Sequence, residues 1–164
     1  MQPLLINPYR LSQHLPRNNN FYCHLEKSFL GGLFFRTMKL ISQHLCKLHN
    51  IGLHGNLFGG QLLSWIDEAG FILAAEYAQS YDLVTARIDR TDFSQPALQG
   101  DVISIYGEVV KQGRSSVNVR IEVHKNLPQT LTPHTLVAQT FLIFVRIDPI
   151  TKKSLPIQVN ATQS

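Results

Sequence analysis

A pair of glycines and one carboxylate follow each other in an order that could activate a carbonyl group. Gly59 and Gly60 come directly before an apolar periodic stretch, and Asp67 follows them by about two helical turns. Glycine costs about 1 kcal/mol relative to alanine inside a helix, so helix propensity does not explain this pair. Bare N–H groups at a helix start, with the positive end of the helix dipole behind them, can hold a ligand oxygen. A carbonyl group bound there would be polarised toward an oxyanion.

Asp67 is the candidate for the basic or nucleophilic group. On a helix it falls at the edge of the apolar arc, near Leu63, Gly60 and Ala74, where its carboxylate would be partly desolvated and therefore a stronger base. The alternative is a solvated or hydrogen-bonded aspartate, which is the usual state of this residue on a helix. The glycine pair in front of it favours the chemical interpretation.

A central helix is predicted to position both groups. It should run from about Gly59 to Ala78, where Ser80-Tyr81-Asp82 ends it. On a helical wheel its core-facing residues fall within one broad arc. These residues are Leu62, Leu63, Ile66, Ala69, Gly70, Leu73, Ala74 and Tyr77. Trp65, Ile72 and Ala75 lie outside the arc, so we expect a sheet and a partner subunit to wrap the helix.

Strands are predicted on both sides of the helix, because the apolar period there is two. The expected strands are 39–47, 84–88, 101–111, 117–123 and 135–147. The last is apolar on both faces, which predicts a central strand. Gln112-Gly113 predicts a hairpin turn, and Pro128 to Pro133 a longer loop. One strand, one long helix and a run of strands indicate an α+β fold with the helix against an antiparallel sheet.

Composition limits the classes of function. The chain has 164 residues, 44% of them hydrophobic, which is enough for one globular domain. No apolar segment approaches the roughly 20 residues of a membrane span, so no membrane association is expected. The net charge of +4 is uneven: residues 1–37 hold four basic side chains and one acidic, the rest eleven and ten. No basic groove with interleaved aromatic residues is found, so nucleic-acid binding is not predicted.

The cysteines and histidines do not form a recognisable cluster. Cys23 and Cys46 are better explained as free thiols in a reducing, cytoplasmic compartment than as a disulfide. A catalytic pair of Cys46 with His44 or His49 is a weaker alternative. The spacing of His44, His49 and His54 matches no metal-ligand pattern, so we expect no metal.

Residues 1–37 show no sustained period and match a secretory signal poorly. We expect a poorly ordered extension, or a segment upstream of a translation start at Met38, followed by one domain over residues 38–164. An intact-mass measurement would decide between these alternatives.

Several ordered motifs resemble one enzyme family. They are His54-Gly55-Asn56-Leu57-Phe58-Gly59-Gly60, Trp65-Ile66-Asp67-Glu68-Ala69-Gly70, Val84-Thr85-Ala86, Phe93-Ser94-Gln95-Pro96, Gly100-Asp101 and Gly113-Arg114-Ser115-Ser116-Val117. The series, from about Met38 to Pro156, resembles the acyl-CoA thioesterases of the hotdog superfamily, especially the bacterial short-chain and mammalian cytosolic acyl-CoA hydrolases. The resemblance implies a hotdog fold, in which the sheet wraps the helix and subunits pair to extend it.

The resemblance also implies hydrolysis of acyl-CoA to a fatty acid and CoA. Asp67 would deprotonate a water or attack the thioester directly, while the Gly59 and Gly60 amides polarise the carbonyl. Asn56 would assist as an orienting amide, although some bacterial relatives carry aspartate there; the alternative for Asn56 is a helix N-cap or Asx turn. The two halves of the site come from different subunits in this family. A homodimer is therefore the expected active unit, and it could assemble further into a tetramer or hexamer.

Other positions follow from the resemblance with less support. Thr85 would lie near the reacting centre, and Arg114, Ser115 and Ser116 near the CoA phosphates, which arginine suits. Arg87 and Arg90 are weaker phosphate candidates. No cofactor is implied, since CoA is part of the substrate.

Two other functions are alternatives to acyl-CoA hydrolysis. A hotdog dehydratase acting on acyl-carrier protein would need a histidine beside the helix carboxylate, and only His54 lies near the glycine loop. A non-catalytic acyl-CoA-binding module is harder to separate from the enzyme, because binding and hydrolysis use most of the same residues.

Overall fold

The structure, a computed structural model, describes residues 38–126 and 135–157. Within these ranges, one long helix and six strands follow in chain order. They are β1 (Lys39–Leu45), α1 (Gly59–Ala78), β2 (Leu83–Ile88), β3 (Asp92–Phe93), β4 (Val102–Gln112), β5 (Ser116–Asn126) and β6 (Thr135–Arg146). The strands form one sheet in which every pairing is antiparallel. The predicted α+β fold is confirmed.

The sheet order is β1-β4-β5-β6-β2, and the short strand β3 pairs with β6 beyond the end of β2. β6 therefore lies inside the sheet, between β5 and the pair β2 and β3, while β5 is the middle strand. The apolar character of β6 on both faces agrees with this interior position. Its outer face is only partly covered in the single chain, where Phe141 is 45% exposed.

The core lies between α1 and the inner face of the sheet. The strictly alternating residues of β5 supply Val117, Val119, Ile121 and Val123, all of which are fully buried. Phe144 of β6 is equally buried. The core is thus an interface between the sheet, whose inward apolar residues recur at every second position, and the helix, whose apolar residues recur about every 3.6 positions.

The inward face of α1 is wider than the predicted arc. Trp65 and Ala75 were expected outside it, yet both are buried, at 8% and 6% exposure. The ring of Trp65 stacks on His44 of β1, with centroids 4.4 Å apart and planes 7° apart. Ile72, by contrast, stays 50% exposed. The curved sheet therefore covers a second side of α1 at Trp65 and leaves the side at Ile72 open.

Two glycines let the helix approach the sheet closely. A Cβ atom on Gly107 of β4 would lie 2.8 Å from Cδ2 of Leu73 and 2.9 Å from Cδ1 of Ile121. On Gly70 it would lie 3.1 Å from the ring of Phe144. Side chains are absent from these positions because the core of the opposite layer occupies the space.

Element boundaries agree with the expected ones within two residues, except that β5 extends to Asn126, three residues beyond the expected 117–123. α1 has the predicted limits, whereas β1 ends at Leu45 rather than Lys47, because Leu48–Asn50 form a 3-10 turn. The strand β3 was not predicted, since its two residues are too short to show a period. The predicted loop 128–133 and the predictions for residues 1–37 lie outside the described residues. No helix in the described part of the chain is long and apolar enough to cross a membrane.

Candidate active site

The segment 50–58 leads into α1 and is held by backbone hydrogen bonds; we call it the glycine turn. The N–H of Phe58 donates to the carbonyl oxygen of Asn50 (2.9 Å), and the N–H of Gly52 to that of Asn56 (2.7 Å). Gly55 adopts a φ of 78°, a left-handed conformation that favours glycine. The turn therefore delivers the chain to the helix start in a fixed direction.

The start of α1 has no side-chain cap. Its N-cap residue is Phe58, which has no oxygen to offer, and no acidic residue lies in the first turn. Asn56 lies two residues before Phe58, so the N-cap alternative for Asn56 is wrong. Ser, Thr, Asp or Asn normally occupies the N-cap and takes up the first amides. The Gly59 and Gly60 amides lie ahead of the Leu62 N–H, which donates to Phe58 O (3.1 Å). As the first two N–H groups of the helix, they have no acceptor within it.

A cleft of about 350 Å³ opens beside this helix start. The segment 93–97 forms one wall, and it is tied in place by hydrogen bonds from Leu57 N–H to Ala97 O and from Ser94 N–H to Val137 O, both 2.8 Å. The remaining lining residues are Asn56, Leu57, Gly59, Leu62 and Val137. Two of the predicted catalytic residues, Asn56 and Gly59, therefore face one cleft, whereas Gly60 and Asp67 are not among its lining residues.

Asp67 lies further along α1 and is held by a hydrogen bond from β2. The hydroxyl group of Thr85 donates to Oδ1 of Asp67 over 2.8 Å. Asp67 is partly buried and Thr85 is exposed, on an edge strand whose residues after Leu83 are all exposed in the single chain. The structure therefore brings two of the predicted residues, Asp67 and Thr85, together at an open edge of the sheet.

Gly59, Leu63 and Asp67 follow one another at intervals of four residues and so lie along one stripe of the helix. At 1.5 Å per residue, Gly59 and Asp67 are separated by roughly 12 Å along the axis. One thioester group is too small to touch both at once. The two halves of the predicted site are thus on the same face of one chain, but apart.

The predicted phosphate-binding arginines differ in their surroundings. Nε of Arg87 donates to Oδ1 of Asp89, and Nε of Arg90 to Oδ1 of Asp92 over 2.8 Å. These carboxylates compete with a phosphate, although the pairs are exposed. Arg114 is exposed and makes no ion pair within residues 38–126 and 135–157.

The hairpin that carries Arg114 is tightly built. The N–H of Gly113 donates to the carbonyl oxygen of Ser116 (2.8 Å), and a Cβ atom on Gly113 would lie 2.5 Å from Oγ of Ser116. The predicted turn is confirmed. The hairpin lies beside the end of α1, because the Tyr77 hydroxyl donates to Oε1 of Gln112 (2.9 Å). Along the helix it is far from the chain's own glycine turn.

Gly100-Asp101, another of the matching motifs, has a structural role. Gly100 has a φ of 91°, and Oδ2 of the buried Asp101 accepts a hydrogen bond from the N–H of Leu98 (2.8 Å). The N–H of Cys46 donates to the carbonyl oxygen of Asp101 (2.8 Å). This turn therefore fixes the segment 93–97 to the end of β1.

A thiol nucleophile at Cys46 is disfavoured. Its side chain is 1% exposed, and burial, with Asp101 nearby, raises the pKa of the Cys46 thiol. Burial lowers the pKa of His44, and the charge of Glu68 partly offsets this. The His44 ring stacks on Trp65, and its Nε2 lies 3.2 Å from the hydroxyl of Ser42. A structural role for both residues follows.

Comparison with known proteins decides the family. The model of the Thioesterase superfamily matches residues 54–131, a range that holds Gly59, Gly60, Asp67 and the hairpin. The acyl-CoA thioester hydrolase YciA of Salmonella typhimurium is 32% identical over 123 residues, which cover 73% of this chain and 92% of that protein. The chain belongs to the hotdog-fold acyl-CoA thioesterases. YciA of Escherichia coli is 31% identical over 131 residues, 78% of this thioesterase and 93% of its relative.

Solved structures agree with this assignment. HI0827, described as a hexameric broad specificity acyl-coenzyme A thioesterase and solved as a variant with one aspartate replaced by alanine, superposes with a TM-score of 0.71 at 28% identity. The match covers 77% of this thioesterase and 91% of HI0827. An acyl-CoA hydrolase from Staphylococcus aureus, in complex with butyryl coenzyme A and coenzyme A, has a TM-score of 0.66 at 28% identity, with 72% and 70% covered.

The sequence did not indicate the positions of two residues near the helix start of the thioesterase, Asn50 and Phe93. Asn50 supports the glycine turn, and its buried side chain also accepts a hydrogen bond from the N–H of Lys47 (2.9 Å). Phe93 stands over the helix start, with its Cζ 3.8 Å from the position of a Cβ atom on Gly59. The motif Phe93-Ser94-Gln95-Pro96 was noticed, but nothing in it indicated that it would fold back on the glycine turn.

Proposed function

We propose that this protein hydrolyses acyl-CoA thioesters at a site shared between two copies of the chain, with Asp67 as the base or nucleophile. The observation that carries the proposal is one stripe of α1 on which the uncapped Gly59 amide and the Asp67 carboxylate both lie. The names and described ligands of the relatives supply the substrate class.

The proposed reaction begins at the thioester carbonyl. Its oxygen accepts hydrogen bonds from the Gly59 and Gly60 amides, which stabilise the negative charge that develops on it. Asp67 removes a proton from water as the water oxygen bonds to the carbonyl carbon. The carbon–sulfur bond then breaks, and CoA leaves as a thiolate that takes up a proton. Direct attack by Asp67 would instead give an anhydride, which water hydrolyses to the same acid.

Thr85 has a defined part in this proposal. Its hydroxyl donates to Oδ1 of Asp67, so Oδ2 is left to accept the proton of the water. A hydrogen bond of this kind fixes the carboxylate orientation before substrate arrives. Thr85 is therefore proposed as a positioning residue, and Asn56, at the cleft mouth, as a group that orients the thioester or the water.

The spacing of Gly59 and Asp67 on the helix supports a dimer. If two copies pack their α1 helices antiparallel about a twofold axis near Leu63, Gly59 of one copy lies level with Asp67 of its partner. The same operation moves the Arg114 hairpin of the partner toward the glycine turn of the first copy. Arg114, with Ser115 and Ser116, is proposed to bind CoA phosphate from there. Hexamers are described for several neighbours, and three such dimers would form one.

The proposed chemistry needs no metal or cofactor, because the amides and the carboxylate supply the polarisation and the proton transfer, and CoA is part of the substrate. Arg87 and Arg90 are assigned a secondary role at most, since Asp89 and Asp92 already neutralise them.

The test is release of free CoA thiol from a series of acyl-CoAs by the wild type and by Asp67→Asn. The amide keeps the size of the side chain but cannot take a proton. We expect kcat to fall by about 10²–10⁴-fold, the usual contribution of a general base. Binding of CoA, measured by calorimetry, should change little.

Turnover by Asp67→Asn at the wild-type rate would contradict the role of Asp67. Binding of acyl-CoA by the wild type without any release of thiol would support the alternative, a non-catalytic acyl-CoA-binding module. Glu68→Gln is the matched control, because Glu68 is the neighbouring exposed carboxylate of the same helix.

A further inference from the structure

The cleft beside Gly59 has two ends of different polarity. Asn56, Ser94 and Gln95 supply the polar groups at its rim. Leu62, Ala97 and Val137 are also among its lining residues, and they are only 2%, 3% and 2% exposed. These three residues form the floor of the cleft.

The floor suits hydrocarbon and not the arm of CoA. The three floor side chains carry no hydrogen-bonding group, and polar groups buried against such a surface would lose their water without a replacement partner. The pantetheine arm of CoA contains amides and a hydroxyl, whereas a fatty acyl chain contains only methylene and methyl groups. Hydrocarbon gains about 0.8 kcal/mol for each methylene removed from water. The acyl chain is therefore the part of the substrate that this floor favours.

Phe93 lies beside the helix start and lines the cleft. It is 53% exposed, and its Cζ lies 3.8 Å from where a Cβ atom on Gly59 would stand, which is ordinary contact distance. Among the described residues other than the chain neighbours of Gly59, Phe93 alone has a side chain within 4 Å of that position. The ring of Phe58 lies against Gly60 instead, with its Cε1 2.6 Å from the position of a Cβ atom there. Phe93 therefore both lines the cleft and contacts the residue whose amide we propose for the thioester oxygen.

We infer that this cleft holds the acyl chain and that Phe93 determines which chain lengths are accepted. The inference rests on the proposed function and deepens it by naming the part of the substrate that this cleft takes, the hydrocarbon chain of the thioester.

The test measures kcat/KM for saturated acyl-CoAs of increasing length in three variants. Phe93→Ala removes the ring and should shift the optimum to longer chains, with kcat/KM rising about fourfold for each methylene newly covered. Ala97→Val adds two carbons to the floor and should shift the optimum to shorter chains. Phe141→Ala is the matched control, an aromatic residue of similar exposure on the outer face of β6, and should leave the length profile unchanged.

Opposite shifts in Phe93→Ala and Ala97→Val support the inference. The readout is the ratio of kcat/KM values between chain lengths, which does not change if part of the protein is unfolded. An unchanged profile in both variants, with altered inhibition by free CoA, would overturn it, because the cleft would then hold the CoA arm. That result would leave the proposed hydrolysis intact. Absence of thiol release by the wild type for every chain length would overturn both.

Discussion

At the scale of single residues, the proposed role of Asp67 depends on how its carboxylate is held. A helical aspartate is usually solvated, whereas Asp67 is partly buried and its neighbour Glu68 is exposed. A further difference is the Thr85 hydroxyl, which donates to one carboxylate oxygen of Asp67 and fixes the plane of the group. Orientation of a proton acceptor contributes directly to the rate of a proton transfer.

Replacement of Thr85 by valine tests this positioning. Valine keeps the β-branched shape that suits a strand but cannot donate a hydrogen bond. We expect kcat to fall by about tenfold, which corresponds to one hydrogen bond to a charged group, while KM stays near the wild-type value. Steady-state CoA release measures both.

Thr85→Ser is the control for that substitution, because serine restores the hydroxyl. It should recover most of the lost kcat. A valine variant as fast as the wild type would show that this hydrogen bond has no part in catalysis.

Substitution of Gly59 separates its amide from its small size. Gly59 is the first residue of α1, where proline is tolerated, and Phe58 before it has a ψ of 126°, as residues before proline do. Gly59→Pro deletes the N–H, and we expect kcat to fall by about 10²–10³-fold, the cost of one oxyanion donor. The measurement is again CoA release.

Gly59→Ala is the matched variant, since it adds a methyl group in ordinary contact with Phe93 and keeps the amide. It should retain activity within about tenfold. Equal losses in the proline and alanine variants would indicate that space, and not the amide, is what Gly59 provides.

Residue types indicated part of the site in advance. Glycines at a helix start and a carboxylate two turns later suggest carbonyl chemistry from their residue types alone. The bond between Thr85 and Asp67 could not be derived in this way, because the packing of β2 against the helix decides it. Phe93 was missed for the same reason: its contact with Gly59 depends on a loop that folds back through backbone hydrogen bonds.

At the scale of elements, α1 carries Gly59 and Asp67 and sets the distance between these two residues of the proposed site. Its limits, Gly59 and Ala78, could be predicted because a glycine turn precedes it and the apolar period stops after it. The sheet order β1-β4-β5-β6-β2 could not, since hydrophobic alternation identifies a strand but not its neighbour. The wide buried face at Trp65 also depends on that order, because β1 reaches the far side of the helix.

Leu63 lies between Gly59 and Asp67 on one stripe of α1, so a charge at Leu63 is predicted to disturb the proposed dimer. If the twofold axis passes near Leu63, Leu63→Glu places two like charges against each other and should dissociate the dimer. Activity should fall with it, because each site loses its second half. Analytical ultracentrifugation measures the association, and circular dichroism checks that the fold is retained.

Ile72→Glu is the control for Leu63→Glu, since Ile72 lies on the opposite side of α1 and is 50% exposed. It should leave association and CoA release close to the wild type. If Ile72→Glu dissociated the protein and Leu63→Glu did not, the interface would lie on the side of α1 opposite to the proposed one.

At the scale of the whole molecule, the groups of the proposed site are spread along a single chain. The cleft and amides lie at the start of α1, Asp67 lies roughly 12 Å along it, and the Arg114 hairpin lies beside its end. The family resemblance predicted a site shared by two subunits, and the spacing of these groups along one helix supplies a physical reason for it.

Subunit complementation tests this central claim most directly. Asp67→Ala and Gly59→Pro chains with different affinity tags are each expected to be inactive as homodimers. After the two are unfolded and refolded together in equal amounts, half of the dimers are mixed. In each mixed dimer one site combines an intact Gly59 with an intact Asp67, so the mixture should recover about a quarter of wild-type CoA release. A mixture of confirmed heterodimers that stays as inactive as its parents would contradict the shared site.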